Sequence, residues 1–195
     1  MAGVDDFQVL ENGEIPRGFN VYMPRPITSD FLEFIAIRSC QKSLALFTSG
    51  SIHLIAVANS GIPIATAIIM YRRIKQMKGY EDDELSIVDP NRQSLILGSE
   101  IRAQSQIIVD NSIKSIRTLH YVLRRLSING LLARQVFKLI DYHDVYEQEL
   151  TQRLYDEGLV VSSAFDFNEL IESSIPGRRQ HIRTIMTRNH YRRIS

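Results

Sequence analysis

The sequence predicts an α/β domain in which a parallel sheet is flanked by helices, and three observations lead to this prediction. Short apolar segments of strand length recur along the chain, helical segments alternate with them, and polar turns separate the two. The strand segments are apolar on consecutive residues, as expected for strands buried on both faces. A chain of 195 residues suffices for one such domain. We expect the domain to span residues 1–174 and a basic tail or helix to span residues 175–195.

The first half of the chain predicts a helix, a buried strand, a second helix, a short strand and a hairpin-like stretch. In this order they lie at residues 28–47, 52–58, 62–75, 85–88 and 94–101. Thr28, Ser29 or Asp30 is available to cap the first helix. Pro63 suits the first turn of the second helix, directly after the turn Asn59-Ser60-Gly61. This part of the chain therefore contains a strand, a tight turn and a helix in succession.

The second half repeats the alternation of strand and helix. Strands are predicted at residues 106–109, 133–140 and 159–165, and helices before Asn129-Gly130 and at residues 145–156 and 167–173. Asn129-Gly130 is typical of a helix end. Asp166 and Glu169 have the spacing of a capping box at the start of the last helix. His53 and His120 lie within apolar segments, and we expect both to be packed, hydrogen-bonded residues of the core or of an edge.

Charge and cysteine content exclude several classes of protein. There are 23 basic and 22 acidic residues, a formal charge of +1. The single cysteine, Cys40, allows no internal disulfide, so a reducing, cytoplasmic compartment fits best, with Cys40 as a small buried residue. Residues 43–71 carry no charged side chain, but Asn59-Ser60-Gly61 and other polar residues interrupt them. We therefore expect no membrane span.

Two stretches are candidates for chemistry because ligands of parallel sheets bind at the carboxyl ends of the strands, where helix N-termini also point. The first is Asn59-Ser60-Gly61, whose backbone N–H groups suit a phosphate or pyrophosphate; the alternative is an ordinary capped turn. The second is residues 110–118, which follow a buried strand and open a helix. We find no dinucleotide-binding or P-loop motif and no predicted metal site.

The order and spacing of these segments resemble the orotate phosphoribosyltransferases, which are type I phosphoribosyltransferases. The resemblance covers roughly residues 15–172. LIAVANSGIPIATAI is similar to the family's strand, pyrophosphate loop and helix, and LILGSEIRAQSQIIVDNS to the hairpin and strand that lead into its phosphoribosyl-pyrophosphate (PRPP) loop. LARQVFKLIDYHD and GLVVSSAFDFNELIE are similar to its closing strands and terminal helix. VYMPRPITSD resembles the segment that places a substrate-side arginine, here Arg25.

The resemblance implies a type I phosphoribosyltransferase fold, a homodimer and, if the protein is active, PRPP with Mg²⁺. It implies a phosphate-binding set that consists of Asp110, Asn111, Lys114, Ser115 and Thr118. It also implies a pyrophosphate loop that consists of Asn59, Ser60 and Gly61. Arg92 is the one candidate for the catalytic cations of the family's mobile loop, because residues 87–94 contain no lysine or histidine.

The same stretches depart from the family's chemistry. Asn111 stands where a second carboxylate is expected, and Ile116 stands where the family has glycine, whose positive-φ conformations a β-branched residue cannot take. Lys114 replaces a hydroxyl residue, and either receives a phosphate as a compensating cation or pairs with Asp110 and keeps the site empty. We therefore predict a divergent, catalytically impaired member, a pseudoenzyme that binds a phosphoribosyl or nucleotide-type ligand or has a regulatory role. The alternative is an active transferase for orotate or another base.

The C-terminal segment concentrates positive charge. Residues 176–195 contain no acidic residue and six arginines, Arg178, Arg179, Arg183, Arg188, Arg192 and Arg193. Without them the chain has 17 basic residues against 22 acidic ones, a charge of −5. The segment is either an amphipathic helix for an anionic partner, such as nucleic acid, a membrane surface or an acidic protein, or a solvated or self-docking tail.

Overall fold

The computed structural model describes residues 8–11, 19–22, 27–92, 94–96, 105–113, 115–142, 145–167 and 169–170. The chain divides into two compact units, residues 1–31 with 167–195, and residues 32–166. In the first unit, β1 (Gln8–Glu11) pairs antiparallel with β2 (Phe19–Tyr22). The sequence pattern predicted neither of these strands. The predicted domain boundary at residue 174 lies outside the described residues.

Helices and strands then alternate along the chain. In order they are α1 (Ser29–Lys42), α2 (Leu44–Thr48), β3 (Ile52–Val57), α3 (Gly61–Ile74), a short 3-10 helix (Tyr80–Asp82), β4 (Glu84–Asp89), β5 (Ser94–Ile96), β6 (Ser105–Asp110), α4 (Ile116–Ile128), β7 (Gln135–Asp141), α5 (Val145–Asp156) and β8 (Val160–Asp166).

The strands from β3 onwards form one six-stranded sheet in the order β5-β4-β3-β6-β7-β8. Neighbouring strands are parallel except for β5, which pairs antiparallel with β4. The predicted fold class, a parallel sheet flanked by helices, is confirmed. Among the described residues, no helix combines the length and the apolar character that crossing a membrane requires.

Helices α4 and α5 cover one face of the sheet. Buried side chains of both helices join those of β3, β6 and β7 in one core, including Ile55, Ile108, Leu126, Val136 and Leu154. Because side chains alternate along a strand, the residues between these point to the opposite face. On that face the ring of Phe137 in β7 lies 5.0 Å, between centroids, from that of Phe47 in α2, edge to face.

Helix α4 ends just before Asn129-Gly130, as the sequence predicts. Gly130 has φ of 73°, a conformation that favours glycine. Its N–H donates to the carbonyl of Ser127 at 3.0 Å, and the N–H of Leu131 donates to that of Leu126 at 2.9 Å. This pair of bonds satisfies carbonyls that the helix end would otherwise leave without donors. Helix α5 ends with the same two bonds around Gly158.

The single helix predicted over residues 28–47 is wrong, because α1 and α2 are separate. Ser43 interrupts them with φ of −120° and ψ of 48°, outside the helical region. Its carbonyl accepts from the N–H groups of Leu46 and Phe47 and so starts the second helix. The break directs Phe47 into the core, which continued helical spacing would not ensure.

Two further predicted elements lie partly outside the described residues. Of the hairpin-like stretch at residues 94–101, the structure describes β5, and residues 97–101 lie outside. Of the helix predicted at residues 167–173, Phe167 and residues 169–170 are helical, and the remainder lies outside.

Candidate functional site

The loops after β3, β4, β6 and β7 all leave the sheet at its carboxyl edge, since these strands are parallel. The turn after β3 consists of Ala58, Asn59 and Ser60, with a cis peptide bond between Ala58 and Asn59. The N–H of Ala58 donates to the carbonyl of Val88 in β4 at 2.8 Å and so holds the start of the turn to the sheet. Asn59 is exposed and Ser60 is half-buried.

Gly61 begins α3 where that helix comes very close to β6. A Cβ at this position would collide with the carbonyl oxygen of Val109 and would lie 3.3 Å from the Cα of Ala56. Only a glycine permits this approach without a shift of the backbone. The N-terminus of α3 is therefore held against the end of β6, where Asp110 follows Val109.

Ser60 and Asp110 join the two predicted stretches. The Ser60 hydroxyl donates to Asp110 Oδ1 at 2.5 Å, and the N–H of Asn111 donates to the same oxygen at 2.7 Å. The two predicted stretches, Asn59-Ser60-Gly61 and the start of residues 110–118, thus lie together at the carboxyl edge of the sheet. Ser60 and Asp110 are fifty residues apart in sequence. The sequence predicted each stretch at the carboxyl end of a strand, and the pairing of β3 with β6 brings the two together.

Asn111 has its backbone fixed, and one of its side-chain atoms has no partner in the part of the chain that the structure describes. Its carbonyl accepts from the N–H of Ile140 in β7 at 3.0 Å. Its Oδ1 is buried and has no hydrogen-bond partner among the described residues. An unsatisfied buried acceptor is uncommon in proteins and is a place where a donor from a ligand would fit.

The loop from Asn111 leads into α4, which Ser115 caps. The Ser115 hydroxyl accepts from the N–H of Thr118 at 3.4 Å, a long bond. Ile116 is the first residue of α4, and among the described residues Gln76 alone combines a side chain with positive φ. The replacement of glycine by Ile116 is therefore accommodated by ordinary helical backbone, which puts an apolar side chain at the helix start. Lys114 lies outside the described residues.

Arg92 is an exposed cation at the carboxyl edge. It follows β4 in a turn that Asp89 organises, because Asp89 Oδ1 accepts from the N–H groups of Asn91 and Arg92 at 3.0 and 3.2 Å. The Arg92 side chain is 85% exposed, and its Nε lies 3.7 Å from Asp89 Oδ2. An ion pair this exposed and this long contributes little to stability.

Lys138 is a buried cation that the sequence analysis did not identify. Its side chain is 2% exposed, and its Nζ lies 3.0 Å from Asp141 Oδ1. Its Cα is in register with that of Asp110 in the neighbouring strand β6. The available signal was one lysine within the otherwise apolar core of β7, VFKLI. Buried charges are retained only when paired, and here the pair lies at the same edge as Asp110.

The remaining predicted residues divide into three groups. Cys40 is buried, and burial raises the pKa of its thiol to about 11. His53 is buried and bonded to Ser86, whereas His120 is exposed and its Nε2 lies 3.1 Å from Glu157 Oε1, so the expected packing is correct only for His53. Arg25 and the six C-terminal arginines lie outside the described residues. No group of three metal-ligating side chains occurs in the described ranges.

Sequence comparisons identify no relative: no family model matches the chain, and no curated protein matches it. Comparison with solved structures identifies similar proteins. The orotate phosphoribosyltransferase of Francisella tularensis matches with a TM-score of 0.65 at 13% identity, over 93% of this chain and 92% of that one. That of Aeropyrum pernix matches with a TM-score of 0.56 at 16% identity, over 84% and 91%.

A third match is the Mycobacterium tuberculosis orotate phosphoribosyltransferase in complex with PRPP. It has a TM-score of 0.55 at 16% identity and covers 74% of this chain and 78% of that one. At these identities the likeness concerns the arrangement of the backbone. The chain therefore has the type I phosphoribosyltransferase fold, as seen in the orotate phosphoribosyltransferases.

Proposed function

We propose that the carboxyl edge of the sheet binds a phosphoribosyl or nucleotide-type ligand and that transfer chemistry there is impaired. The observation that carries this proposal is the bond between Ser60 and Asp110, which brings the N-terminal turn of α3 and the loop before α4 to one place. A protein of the same fold is known in complex with PRPP, which favours this ligand class.

Each part of the edge suits one part of such a ligand. The first N–H groups of α3 and α4 have no carbonyl partners within their own helices, and helix N-termini attract phosphate. Ser115 and Thr118 add hydroxyl groups at the second helix. Asp110 is a carboxylate acceptor for the hydroxyl groups of a pentose. If the site is active, Mg²⁺ would enter with PRPP and neutralise its diphosphate, and Asp110 would be a carboxylate able to hold it; magnesium commonly binds through one or two carboxylates and phosphate oxygens.

We infer the impairment of transfer chemistry from the groups that are missing at the carboxyl edge. Asn111 offers a neutral amide in place of a second carboxylate, and Ile116 narrows the approach of a phosphate to the backbone. Within residues 87–94, the stretch that matches the family's mobile loop, Arg92 is the one cation available to stabilise charge on a leaving pyrophosphate, and its side chain is 85% exposed. Each preorganised cation removed costs about 3 kcal/mol of transition-state stabilisation, on the order of 100-fold in rate. A binding or regulatory role follows.

The second candidate is an active transferase for orotate or another base. The exposure of Arg92 favours it, because an exposed cation at the carboxyl edge is able to contact a bound ligand. In that case Lys114 and Arg92 supply the missing charges. The substitutions Lys114→Ala and Arg92→Ala should then lower kcat/KM by orders of magnitude.

Location and partners belong to the same proposal. We place the protein in the cytoplasm as a homodimer, with the six arginines between Arg178 and Arg193 available to an anionic partner. A purely structural or interaction protein that uses the tail alone would bind no phosphorylated ligand at the sheet edge.

Two measurements on the purified protein test the proposal. In a thermal-shift panel with PRPP and Mg²⁺, nucleotides and pyrophosphate, a ligand at 100 times its dissociation constant should stabilise by about 2.7 kcal/mol. Formation of orotidylate from orotate and PRPP should stay undetectable. Conversion at a rate typical of enzymes would establish the active transferase, and no shift with any ligand would leave the interaction protein.

A further inference from the structure

Ser60 lies in the N-cap position of α3 but does not cap it. A serine there normally accepts a hydrogen bond from an N–H of the first helical turn. The Ser60 side chain makes no such bond, and its backbone is already helical, with φ of −73° and ψ of −34°. Its hydroxyl instead donates to Asp110 Oδ1 at 2.5 Å. A good capping side chain is therefore engaged in a contact between two loops.

The backbone around this bond is held firmly. The close approach of Gly61 to the carbonyl of Val109 fixes the start of α3, and the bond from Ile140 to the carbonyl of Asn111 fixes the other loop. The donor and acceptor thus face each other because the sheet places them so. A hydrogen bond between fixed groups loses little side-chain entropy, and a charged acceptor makes it short and strong.

The bond occupies an oxygen that a pentose ligand would need. Asp110 Oδ1 already accepts from Ser60 and from the N–H of Asn111. A carboxylate oxygen has about two good acceptor directions, so a hydroxyl group arriving from a ligand competes with one of these donors. The backbone N–H cannot leave without moving the loop, whereas the Ser60 hydroxyl needs only to rotate.

Asn111, the residue after Asp110, carries a further acceptor. Its Oδ1 is buried and has no partner among the described residues. A hydroxyl group of a ligand is a donor for either side chain, whereas a phosphate without hydroxyl groups offers no donor.

We propose that the Ser60–Asp110 hydrogen bond is a latch that closes the ligand site, and that a pentose phosphate opens it by donating its own hydroxyl groups to Asp110 and Asn111. This inference rests on the proposed binding of a phosphoribosyl ligand at the same edge. Ser60 is a positioning residue in this account, and its hydroxyl opposes binding.

The latch is tested by titrating ribose 5-phosphate into wild type, Ser60→Ala and Ser60→Thr. Removing a hydrogen bond to a charged group should tighten binding to Ser60→Ala about tenfold, because the ligand no longer breaks that bond. Ser60→Thr keeps the hydroxyl and should bind as wild type does. Ser127→Ala, an exposed serine in α4, is the matched control and should change nothing. Unchanged or weaker binding to Ser60→Ala would overturn the latch.

Amide hydrogen exchange without ligand separates failure of the latch from failure of the proposed function. Exchange at residues 58–61 and 111–113 should be about tenfold faster in Ser60→Ala than in wild type or Ser127→Ala, and equal rates would overturn the latch. If neither wild type nor Ser60→Ala binds any pentose phosphate while the exchange rates differ, the latch stands and the proposed ligand is wrong.

Discussion

Two polar regions of the larger unit use charge in opposite ways. Around Arg72 in α3, the guanidinium is fully buried and surrounded by acceptors. Its Nε donates to Asp83 Oδ2 at 2.6 Å, its Nη2 donates to the carbonyls of Gly50 and Lys78 at 2.6 and 3.2 Å, and its Nη1 donates to that of Phe47. At the carboxyl edge, by contrast, Arg92 is 85% exposed.

This difference separates a structural charge from a functional one. The Arg72 group, meaning Arg72, Asp83 and the three carbonyls, ties α3 to the segments before β3 and β4, and each of the three guanidinium nitrogens donates a hydrogen bond. Asp83 Oδ1 also accepts from the N–H of Ile52 at 3.0 Å. The carboxyl edge keeps an exposed cation, Arg92, and an acceptor, Asn111 Oδ1, that no described residue fills. Saturated groups hold a fold together, whereas groups with remaining capacity are suited to a ligand.

The largest effect should come from breaking the Arg72 group. Arg72→Met leaves the Asp83 carboxylate buried without its counter-charge and should lower the free energy of unfolding by about 3–5 kcal/mol in urea titrations. Arg73→Met, the exposed neighbour, should change it by less than about 0.5 kcal/mol.

Should Arg72→Met not fold, the double variant Arg72→Met/Asp83→Met decides the same question. It removes both charges and should recover a folded protein. A single variant as stable as wild type would mean that the group is not a structural anchor.

A smaller effect should come from the close contact between Gly61 and the carbonyl of Val109, which holds the start of α3 against β6. In Gly61→Ala the new Cβ meets the carbonyl of Val109, which belongs to a central strand and cannot yield. Stability should fall by about 2–3 kcal/mol, and binding of ribose 5-phosphate should weaken because Ser60 and Asp110 are displaced. Thr66→Ala, exposed in the same helix, should alter neither. Normal stability of Gly61→Ala would show that the helix start is not held as described.

The smallest effect depends on pH. Burial lowers the pKa of His53 below its ordinary 6.5. The unfolded chain therefore takes up a proton as the pH falls through about 6.5 while the folded protein does not, so stability is full above that pH and is lost below it.

Urea titrations between pH 7.5 and 5.5 test this dependence. The free energy of unfolding should fall less steeply with decreasing pH in His53→Gln than in wild type. Ser86→Ala removes the partner of His53, which lies 2.7 Å from its Nε2, and should lower stability by about 1 kcal/mol while keeping the wild-type slope. Equal slopes in wild type and His53→Gln would refute the role of His53.

The sequence predicted those parts of the fold that local patterns control. Continuous apolar runs identified β3, β6, β7 and β8, and Asn129-Gly130 identified the end of α4. The break at Ser43 escaped prediction because its cause is tertiary: α2 turns Phe47 against Phe137, ninety residues away. The helical spacing of apolar residues continues through residues 28–47 and therefore does not reveal such a break.

The sequence predicted that the two candidate stretches follow the carboxyl ends of strands. It did not predict the contacts that their side chains make. Parallel strand order alone put Asn59-Ser60-Gly61 and Asp110 at one edge. The bond from Ser60 to Asp110 and the burial of Lys138 depend on strand register, which the sequence does not reveal. Serine before a helix predicts a cap, and only the close approach of α3 to β6 shows why Ser60 points elsewhere.

The central claim is that the carboxyl edge of the sheet binds a phosphoribosyl ligand, and calorimetric titration of PRPP with Mg²⁺ tests it most directly. Wild type should bind saturably, and Asp110→Asn should bind at least tenfold more weakly, a loss of about 1.4 kcal/mol. Asp156→Asn, at the end of α5, is the matched control and should bind as wild type does. Absence of binding to wild type, or equal affinity of wild type and Asp110→Asn, would contradict the account.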